Sequence, residues 1–141
     1  MAAVNTKRVW LGTVVGGVVW TAWSFFVNTV ILGPHYAAAM EAGTVLKQPR
    51  YPLFLGYWIV TLFLLTYILM WIYISVRGPL GPGVWTAFRV GFLVGFAMAF
   101  PVNLSVASWA PFSRALPLGW MLDLWGGAIL ATLAAGWVYK D

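Results

Sequence analysis

The chain has 141 residues and a formal net charge of +5, and 62% of its residues are hydrophobic while only 8% are charged. A soluble domain of this size carries about 25% charged residues, so lipid must be the main solvent of this chain. The basic residues lie singly at the ends of apolar runs, which fits loops that set membrane orientation and disfavours nucleic-acid binding. Cysteine is absent, which excludes disulfides and cysteine metal sites.

Four segments are long and apolar enough to cross a membrane as helices, which requires about 20 residues each. We predict spans over residues 9–32, 52–76, 84–109 and 118–138, separated by breaks rich in proline and glycine. A cleaved secretory signal is the alternative for the first span, but its apolar run exceeds the roughly 7–15 residues of a signal core. Residues 1–141 are therefore predicted to form one all-α domain, a four-helix integral membrane bundle.

The lysines and arginines near the span ends predict the orientation of the bundle. One side carries Lys7, Arg8, Arg77, Arg89 and Lys140, and the other carries Lys47, Arg50 and Arg114. Because cytoplasmic loops are enriched in lysine and arginine, this distribution predicts that both termini are cytoplasmic.

The segment "GPHYAAAMEAG" after the first span predicts a short helix at the outer membrane interface. It begins at Pro34 and ends at Gly43, the usual punctuation of a helix, and its alanines favour helix. Tryptophans near the span ends further predict an interfacial aromatic belt, formed by Trp10, Trp85, Trp109, Trp120 and Trp137.

Two rows of small residues at spacing four predict how the last two spans pack. The rows are Ala87, Gly91, Gly95, Ala99 and Asn103 in the third span, and Gly119, Asp123, Gly127, Ala131 and Ala135 in the fourth. A hairpin folded at Ser113 sets Asn103 opposite Asp123, Ala99 opposite Gly127, and Gly95 opposite Ala131. Small residues let helix backbones approach closely in lipid, so we predict that the two rows mesh.

Most of the notable polar residues fall in or above the outer half of the bundle. We predict that Asp123 is hydrogen-bonded, hydrated or protonated there, because an ionisable group inside a span is costly, and Asn103 is a candidate donor to it. A structural interpretation has these groups joining the helices. A functional interpretation is an outward-facing polar cavity that binds a ligand, and its candidate residues are Asn28, His35, Glu41, Asn103, Arg114 and Asp123.

The sequence contains no motif that indicates catalysis, a cofactor or a metal. His35 is the only histidine, and without a second histidine or a cysteine it is a poor metal ligand. An acid–base pair of His35 with Asp123 is conceivable from their depth alone. No phosphate-binding glycine loop or catalytic triad pattern is present.

Three segments in order, "GGVVWTAWSFFVNTVILGPHYAAAMEAG", "VGFLVGFAMAFPVNLSVASW" and "LDLWGGAILATLAAGWVY", carry a resemblance. Their layout resembles a group of short four-span bacterial membrane proteins of unknown function, although "LGPHYAAAMEAG" departs from the segment those proteins have after the first span. The resemblance implies a bacterial inner-membrane location and no particular chemistry.

These observations predict a small multi-pass membrane protein that is more plausibly non-enzymatic than an enzyme. Its first predicted role is a structural or accessory component that self-associates or joins a larger membrane complex. The first alternative is a binder or carrier of a small or lipophilic ligand. The second alternative is a membrane enzyme that uses Asp123, Glu41 and His35.

Overall fold

A computed structural model describes residues 4–139 of the chain, and all regular secondary structure in this range is helical. The helices are α1 (Thr6–Phe26), which continues into a π-helical turn (Val27–Ile31), α2 (Gly33–Glu41), α3 (Phe54–Leu80), α4 (Val84–Trp109) and α5 (Ala115–Val138). The predicted all-α bundle is therefore confirmed, and so is a short helix after the first span. Lys140, which entered the orientation prediction, lies outside the described residues.

Four of the helical segments have the length and composition of membrane spans: Thr6–Ile31, Phe54–Leu80, Val84–Trp109 and Ala115–Val138. The predicted and observed bounds agree best for the third span. The second span runs past the predicted end at residue 76, because its last turn tolerates Pro79 and the helix stops only at Gly81. Gly81 has a φ of 80°, a conformation that costs glycine little because it has no Cβ.

Helix α5 lies at the centre of the bundle, with its most extensive contacts to α4 and α1, and smaller ones to α3. The N-terminus of α1, the C-terminus of α5 and the loop between α3 and α4 share one end, called the terminal end below. Helix α2 and the loop between α4 and α5 share the other end, called the distal end. The long helices thus alternate in direction along the chain.

The contact between α1 and α5 is an antiparallel seam with a spacing of four residues on both helices. A Cβ added to Gly12 would lie 3.1 Å from the carbonyl oxygen of Ala135, and one added to Gly16 would lie 2.7 Å from that of Ala131. One turn further on, the indole of Trp20 lies against Gly127 so closely that a methyl group there would overlap it. Trp20 is fully buried, so the glycine makes room for the largest buried side chain of the bundle.

The register predicted for the two small-residue rows is corrected by these contacts. All members of both rows are buried, but the atoms nearest to a Cβ at Gly95 belong to Trp125 and Ala128 rather than to Ala131. The fourth-span row faces α1 instead, because α5 has helices on two sides and its smallest face accommodates Trp20. Helix α4 packs on an adjacent strip of α5, where a Cβ at Gly91 would lie 2.7 Å from the Cα of Ile129.

At the distal end, Leu32, the residue that follows the π-helical turn, packs against the same face of α5. Leu32 is 1% exposed, and its side chain fills the space beside Gly119. Leu32 belongs to a second apolar cluster with Val27, Ala39 and Leu116. This cluster fixes α2 against α5 and so determines where the side chains of α2 point.

Most of the tryptophans predicted for the aromatic belt lie on the surface near span ends. Trp10, Trp85, Trp109 and Trp137 are exposed by 57% to 87%, which fits the predicted belt. Trp120 differs, because it is half-buried and donates a hydrogen bond into the bundle.

Substitution of Gly127 by alanine tests the seam between α1 and α5. The added methyl group overlaps the buried indole of Trp20, and overpacking of this kind costs about 1–3 kcal/mol. We expect Gly127→Ala to lower the midpoint of thermal unfolding in detergent. Gly56→Ala is the matched control, because within residues 4–139 a Cβ at Gly56 would have no neighbour within 4 Å apart from the backbone of its own helix. Equal midpoints for the two variants would contradict the close packing of Trp20 against Gly127.

Candidate functional site: a polar cluster around Asp123

Six side chains from four helices form a hydrogen-bonded group in the distal half of the bundle, called the polar cluster below. Its members are Ser24, Asn28, Tyr36, Trp58, Trp120 and Asp123. Asp123 is the only acidic residue among them and lies at the centre, on the face of α5 that packs against α1.

Asp123 is 1% exposed, and its two carboxyl oxygens have different surroundings. Oδ2 accepts hydrogen bonds from the Ser24 hydroxyl and from the Asn28 amide, each at 2.8 Å. Oδ1 is also buried, but it has no hydrogen-bond partner among residues 4–139. The carboxyl group is therefore held on one side by α1, while its other oxygen accepts no hydrogen bond from this part of the chain.

The two donors come from successive turns of the first span. Ser24 and Asn28 are four residues apart, so they share one side of the helix. Between α1 and α2 the backbone forms a π-helical turn, in which the amide of Leu32 donates to the carbonyl of Val27 at 2.9 Å. The Asn28 amide also donates to the Ser24 carbonyl at 2.9 Å, which keeps its side chain along the helix and aimed at Asp123.

The cluster extends through Ser24 to α3 and through Asn28 to α2. The indole of Trp58 donates to the Ser24 hydroxyl at 3.1 Å. The hydroxyl of Tyr36 donates to Oδ1 of Asn28 at 2.8 Å and accepts a hydrogen bond from the indole of Trp120. Three spans and the short helix α2 therefore depend on one another for the hydrogen bonds of buried polar groups.

Tyr36 lies outside the membrane spans, and burial raises the pKa of its hydroxyl above the ordinary value of 10.0. The hydrogen bond from Trp120 acts in the opposite direction, and the nearby Asp123 adds a smaller upward effect. The neutral hydroxyl is the form that can donate to Asn28, so the raised pKa favours the state that the cluster requires.

The cluster joins helices through buried hydrogen bonds. Asp123 and Ser24 are 1% and 4% exposed, so neither is reachable from water or from the lipid. Within residues 4–139, no three histidine, aspartate or glutamate side chains lie close enough to hold a metal ion. The cluster supplies directional contacts between helices inside the bilayer, where the hydrophobic effect does not hold helices together.

The structure brings together only two of the six residues predicted for an outward-facing cavity, Asn28 and Asp123. Asn103 is buried, but its amide donates to the carbonyl of Ala99 in its own helix at 2.8 Å and not to Asp123. This follows from the corrected register, since α5 turns Asp123 towards α1. Glu41 and Arg114 are exposed at the distal end, and Asp123 accepts its hydrogen bonds from Ser24 and Asn28 rather than from Arg114.

His35 lines a small distal cleft, and Asp123 is not among the residues of its walls. The cleft has a volume of about 190 Å³ and lies between α2 and the loop that joins α4 to α5. Its other walls include Ala39, Thr44 and Phe112. The predicted ligand role of His35, Glu41 and Arg114 stays a prediction, and the acid–base pair of His35 with Asp123 has no support from the hydrogen bonds of Asp123.

Four members of the polar cluster were not among the predicted site residues: Ser24, Tyr36, Trp58 and Trp120. A signal for Ser24 exists in the sequence, since Gly12, Gly16, Trp20, Ser24 and Asn28 follow one another at spacing four. Trp58 and Trp120 carry no such signal, because a tryptophan near a span end fits the aromatic belt equally well.

Comparison with protein-family models, with curated proteins and with solved structures finds no match to this chain.

Substitutions of Asp123 measure how much its carboxyl group, as the central acceptor, contributes to the free energy of unfolding. Asp123→Leu leaves the Ser24 hydroxyl and the Asn28 amide without their acceptor in a buried place, which costs about 1–3 kcal/mol. Asp123→Asn retains a carbonyl oxygen for the same donors, so we expect a smaller loss. The two losses are obtained from the unfolding free energies of wild type, Asp123→Leu and Asp123→Asn in mixed micelles. Equal losses for both variants would show that the acceptor does not matter.

Substitution of Tyr36 by phenylalanine tests the link from the cluster to α2. The change leaves Trp120 without an acceptor and Asn28 without a donor, so we expect a loss of about 1–2 kcal/mol near neutral pH.

The stabilities of wild type and Tyr36→Phe can also be compared as a function of pH. Because the pKa of Tyr36 is raised in the folded state, its stabilisation is complete below pH 10.0 and declines as the pH rises through the folded-state pKa. The stability difference between wild type and Tyr36→Phe should therefore shrink above pH 10.0. A difference that stays constant up to the most alkaline measurement would contradict this assignment.

Proposed function

We propose that this chain is a non-enzymatic protein of the bacterial inner membrane that works as a self-associating component, with the outward face of α4 as its contact surface. The coarser part, a small multi-pass membrane protein, rests on the four apolar helices. The location in the bacterial inner membrane is supported by the resemblance to short four-span bacterial proteins.

The outward face of α4 is defined by Ala97, Pro101 and Ser105, which are exposed and four residues apart. They lie two positions on from Gly95, Ala99 and Asn103, about 200° around the helix, so they are on the side away from α5. Helix α4 thus has small side chains on two opposite sides. One side is covered by α5, and the other has no covering helix among residues 4–139.

Ser105 is the observation that carries the proposal. Its hydroxyl has no hydrogen bond within residues 4–139, whereas the neighbouring Ser108 donates to the carbonyl of Leu104 at 2.8 Å. In α3 the hydroxyls of Thr61 and Ser75 likewise donate to the backbone carbonyl four residues earlier. An unsatisfied hydroxyl facing hydrocarbon is costly. A donor left open on a small-residue face therefore favours a second helix at this place.

Pro101 adds a second polar group to the same face. Proline has no amide hydrogen, so the carbonyl of Ala97, four residues earlier, lacks its usual helical donor. Exposure of this carbonyl to lipid is unfavourable. A backbone that approaches closely would displace lipid from it, and the small side chains of Ala97 and Ser105 permit that approach.

A second copy of the chain is the occupant that fits these groups. Two copies inserted in the same direction are related by a twofold axis along the membrane normal, which sets equal residues at equal depth. The two Ser105 hydroxyls then face each other, and a hydroxyl both donates and accepts. Each copy thereby supplies the partner that the other lacks.

The two other predicted roles have less support. A ligand carrier with an outward-facing cavity at Asp123 conflicts with the 1% exposure of that residue. An enzyme using Asp123, Glu41 and His35 would need these side chains close together, but Asp123 is bonded to Ser24 and Asn28. In the proposed role the polar cluster keeps the helices of each copy in fixed positions.

The proposed orientation has both termini in the cytoplasm. Among the described residues, Lys7, Arg8, Arg77 and Arg89 are at the terminal end, and Lys47, Arg50 and Arg114 are at the distal end. The positive-inside tendency therefore favours a cytoplasmic terminal end.

Cysteine cross-linking tests the contact between copies, since the chain contains no native cysteine. We expect Ser105→Cys to form a disulfide-linked dimer in native membranes on mild oxidation, because the two residues face each other across the twofold axis. Ala22→Cys is the control, as Ala22 is an exposed small residue of α1, in a different span. Dimer yield is read on non-reducing gels.

A bulky substitution on the same face gives the complementary result. Ala97→Leu should lower the fraction of dimer, whereas Ala22→Leu, the same change on α1, should leave it unchanged. Equal cross-linking of Ser105→Cys and Ala22→Cys would mean that the contacts are random collisions, and the proposal of self-association through α4 would then fail.

A further inference from the structure

Two polar atoms in the seam between α1 and α5 are buried without a hydrogen-bond partner among residues 4–139. They are the indole Nε1 of Trp20 and the carboxyl Oδ1 of Asp123. Trp20 is fully buried and Asp123 is 1% exposed. The first atom is a donor and the second is an acceptor. Because an unpaired polar group in the interior is costly and uncommon in native proteins, each of the two atoms requires a partner.

Trp20 differs from the other tryptophans that take part in the packing of the bundle. Four of them are only partly buried, and each donates its indole N–H to an acceptor within the bundle: Trp23, Trp58, Trp120 and Trp125. Trp20 is more deeply buried than any of these four, yet its N–H has no acceptor in the described part of the chain. Burial of this donor therefore has no compensation from the protein atoms around it.

The two unpaired atoms lie beside the same turn of α5. Nε1 of Trp20 is at Gly127, because a Cβ added to Gly127 would overlap it. Gly127 and Asp123 are four residues apart and share a face of the helix, where Cβ atoms at this spacing are about 5–6 Å apart. Two hydrogen bonds through one water molecule span a similar distance. The spacing is therefore compatible with one small molecule that contacts both atoms.

The neighbouring contact of Trp23 with Gly126 shows where such an indole directs its N–H. Nε1 of Trp23 lies 3.2 Å from a Cβ added to Gly126, and it donates to the carbonyl of Leu122, four residues before that glycine, at 3.3 Å. The same offset from Gly127 leads to Asp123. An indole with this relation to Gly127 has its N–H on the turn that begins at Asp123.

The two atoms select a ligand by the hydrogen bonds that it must form. It has to accept from an N–H and donate to a carboxyl oxygen, which a hydroxyl group does and neither a metal cation nor a simple anion does. Within residues 4–139 there is also no group of three acidic or histidine side chains for a metal. Because both atoms are buried, the smallest molecule with a hydroxyl group, water, is the one that fits an enclosed place between helices.

We propose that one internal water molecule joins Trp20 to Asp123, accepting from the indole N–H and donating to Oδ1. Asp123 is then bonded to α1 through both carboxyl oxygens, directly by Ser24 and Asn28 at Oδ2 and through water by Trp20 at Oδ1. The water extends the polar cluster by one turn towards the terminal end. This site is independent of the contact between copies through α4, because it lies in the seam between α1 and α5 of each copy.

Proton NMR of the protein in detergent micelles, with isotope-labelled tryptophan indoles, tests this site. The indole signal of Trp20 is assigned through its connection to the backbone resonances of α1. We expect a cross-peak between the indole proton of Trp20 and water, with the sign that a long-lived bound water gives and a rapidly exchanging surface water does not. An assigned Trp20 signal without this cross-peak would overturn the proposal.

Two variants at the same carboxyl group locate the water. Asp123→Leu removes Oδ1 and should abolish the cross-peak of Trp20. Ser24→Ala removes only a donor to Oδ2 and should retain it, which also shows that the cross-peak is not relayed through the exchanging hydroxyl of Ser24. Loss in both variants or retention in both would overturn the proposal. Wild type and Ser24→Ala keep it testable even where Asp123→Leu does not fold.

Discussion

The close approach of α1 and α5 is the contact on which the arrangement of the other helices depends. In a bilayer the lipid chains are as apolar as the side chains, so helices associate through tight packing and polar contacts. Both are concentrated in this seam, where Gly127 makes room for Trp20 and Asp123 accepts from Ser24 one turn away. Helix α3 is then tied to the seam through Trp58, and α4 covers the other side of α5.

The polar cluster places a carboxyl group inside the bundle, where its burial is costly and each hydrogen bond between helices contributes little. A buried carboxyl is expensive, and a single interhelical polar contact contributes only about 0.6 kcal/mol on average. At Asp123 several hydrogen bonds together offset the cost of burial. Ser24 and Asn28 donate to the carboxyl group, while Trp58 donates to Ser24 and Tyr36 donates to Asn28. Such a network restricts the relative rotation of the helices, since apolar packing alone tolerates many rotations but hydrogen bonds do not.

The sequence predicts the elements of this fold well and their partners less well. The span bounds follow from hydrophobic length and from proline and glycine, and both small-residue rows are buried as their spacing suggests. The predicted register between the two rows is wrong, because helices that are neighbours along the chain need not share their smallest faces. The face of α5 with Gly127 and Asp123 packs on α1 instead, and the spacing-four row of α1 was the overlooked indication. Tyr36, Trp58 and Trp120 could not be assigned from the sequence, because their inward direction depends on helix rotation.

The π-helical turn at Val27–Ile31 has a consequence for how the chain tolerates changes in length. A π-helical turn accommodates one more residue than an α-helical turn, and each residue of an α-helix accounts for about 100° of rotation. A relative of this chain with one residue fewer between Phe26 and Leu32 would have a continuous α-helix there, and its α2 would be turned by about that angle. The tyrosine at the position of Tyr36 would then face away from the asparagine at Asn28. Insertions and deletions in this short turn would therefore be far more damaging than those in the connection between α2 and α3.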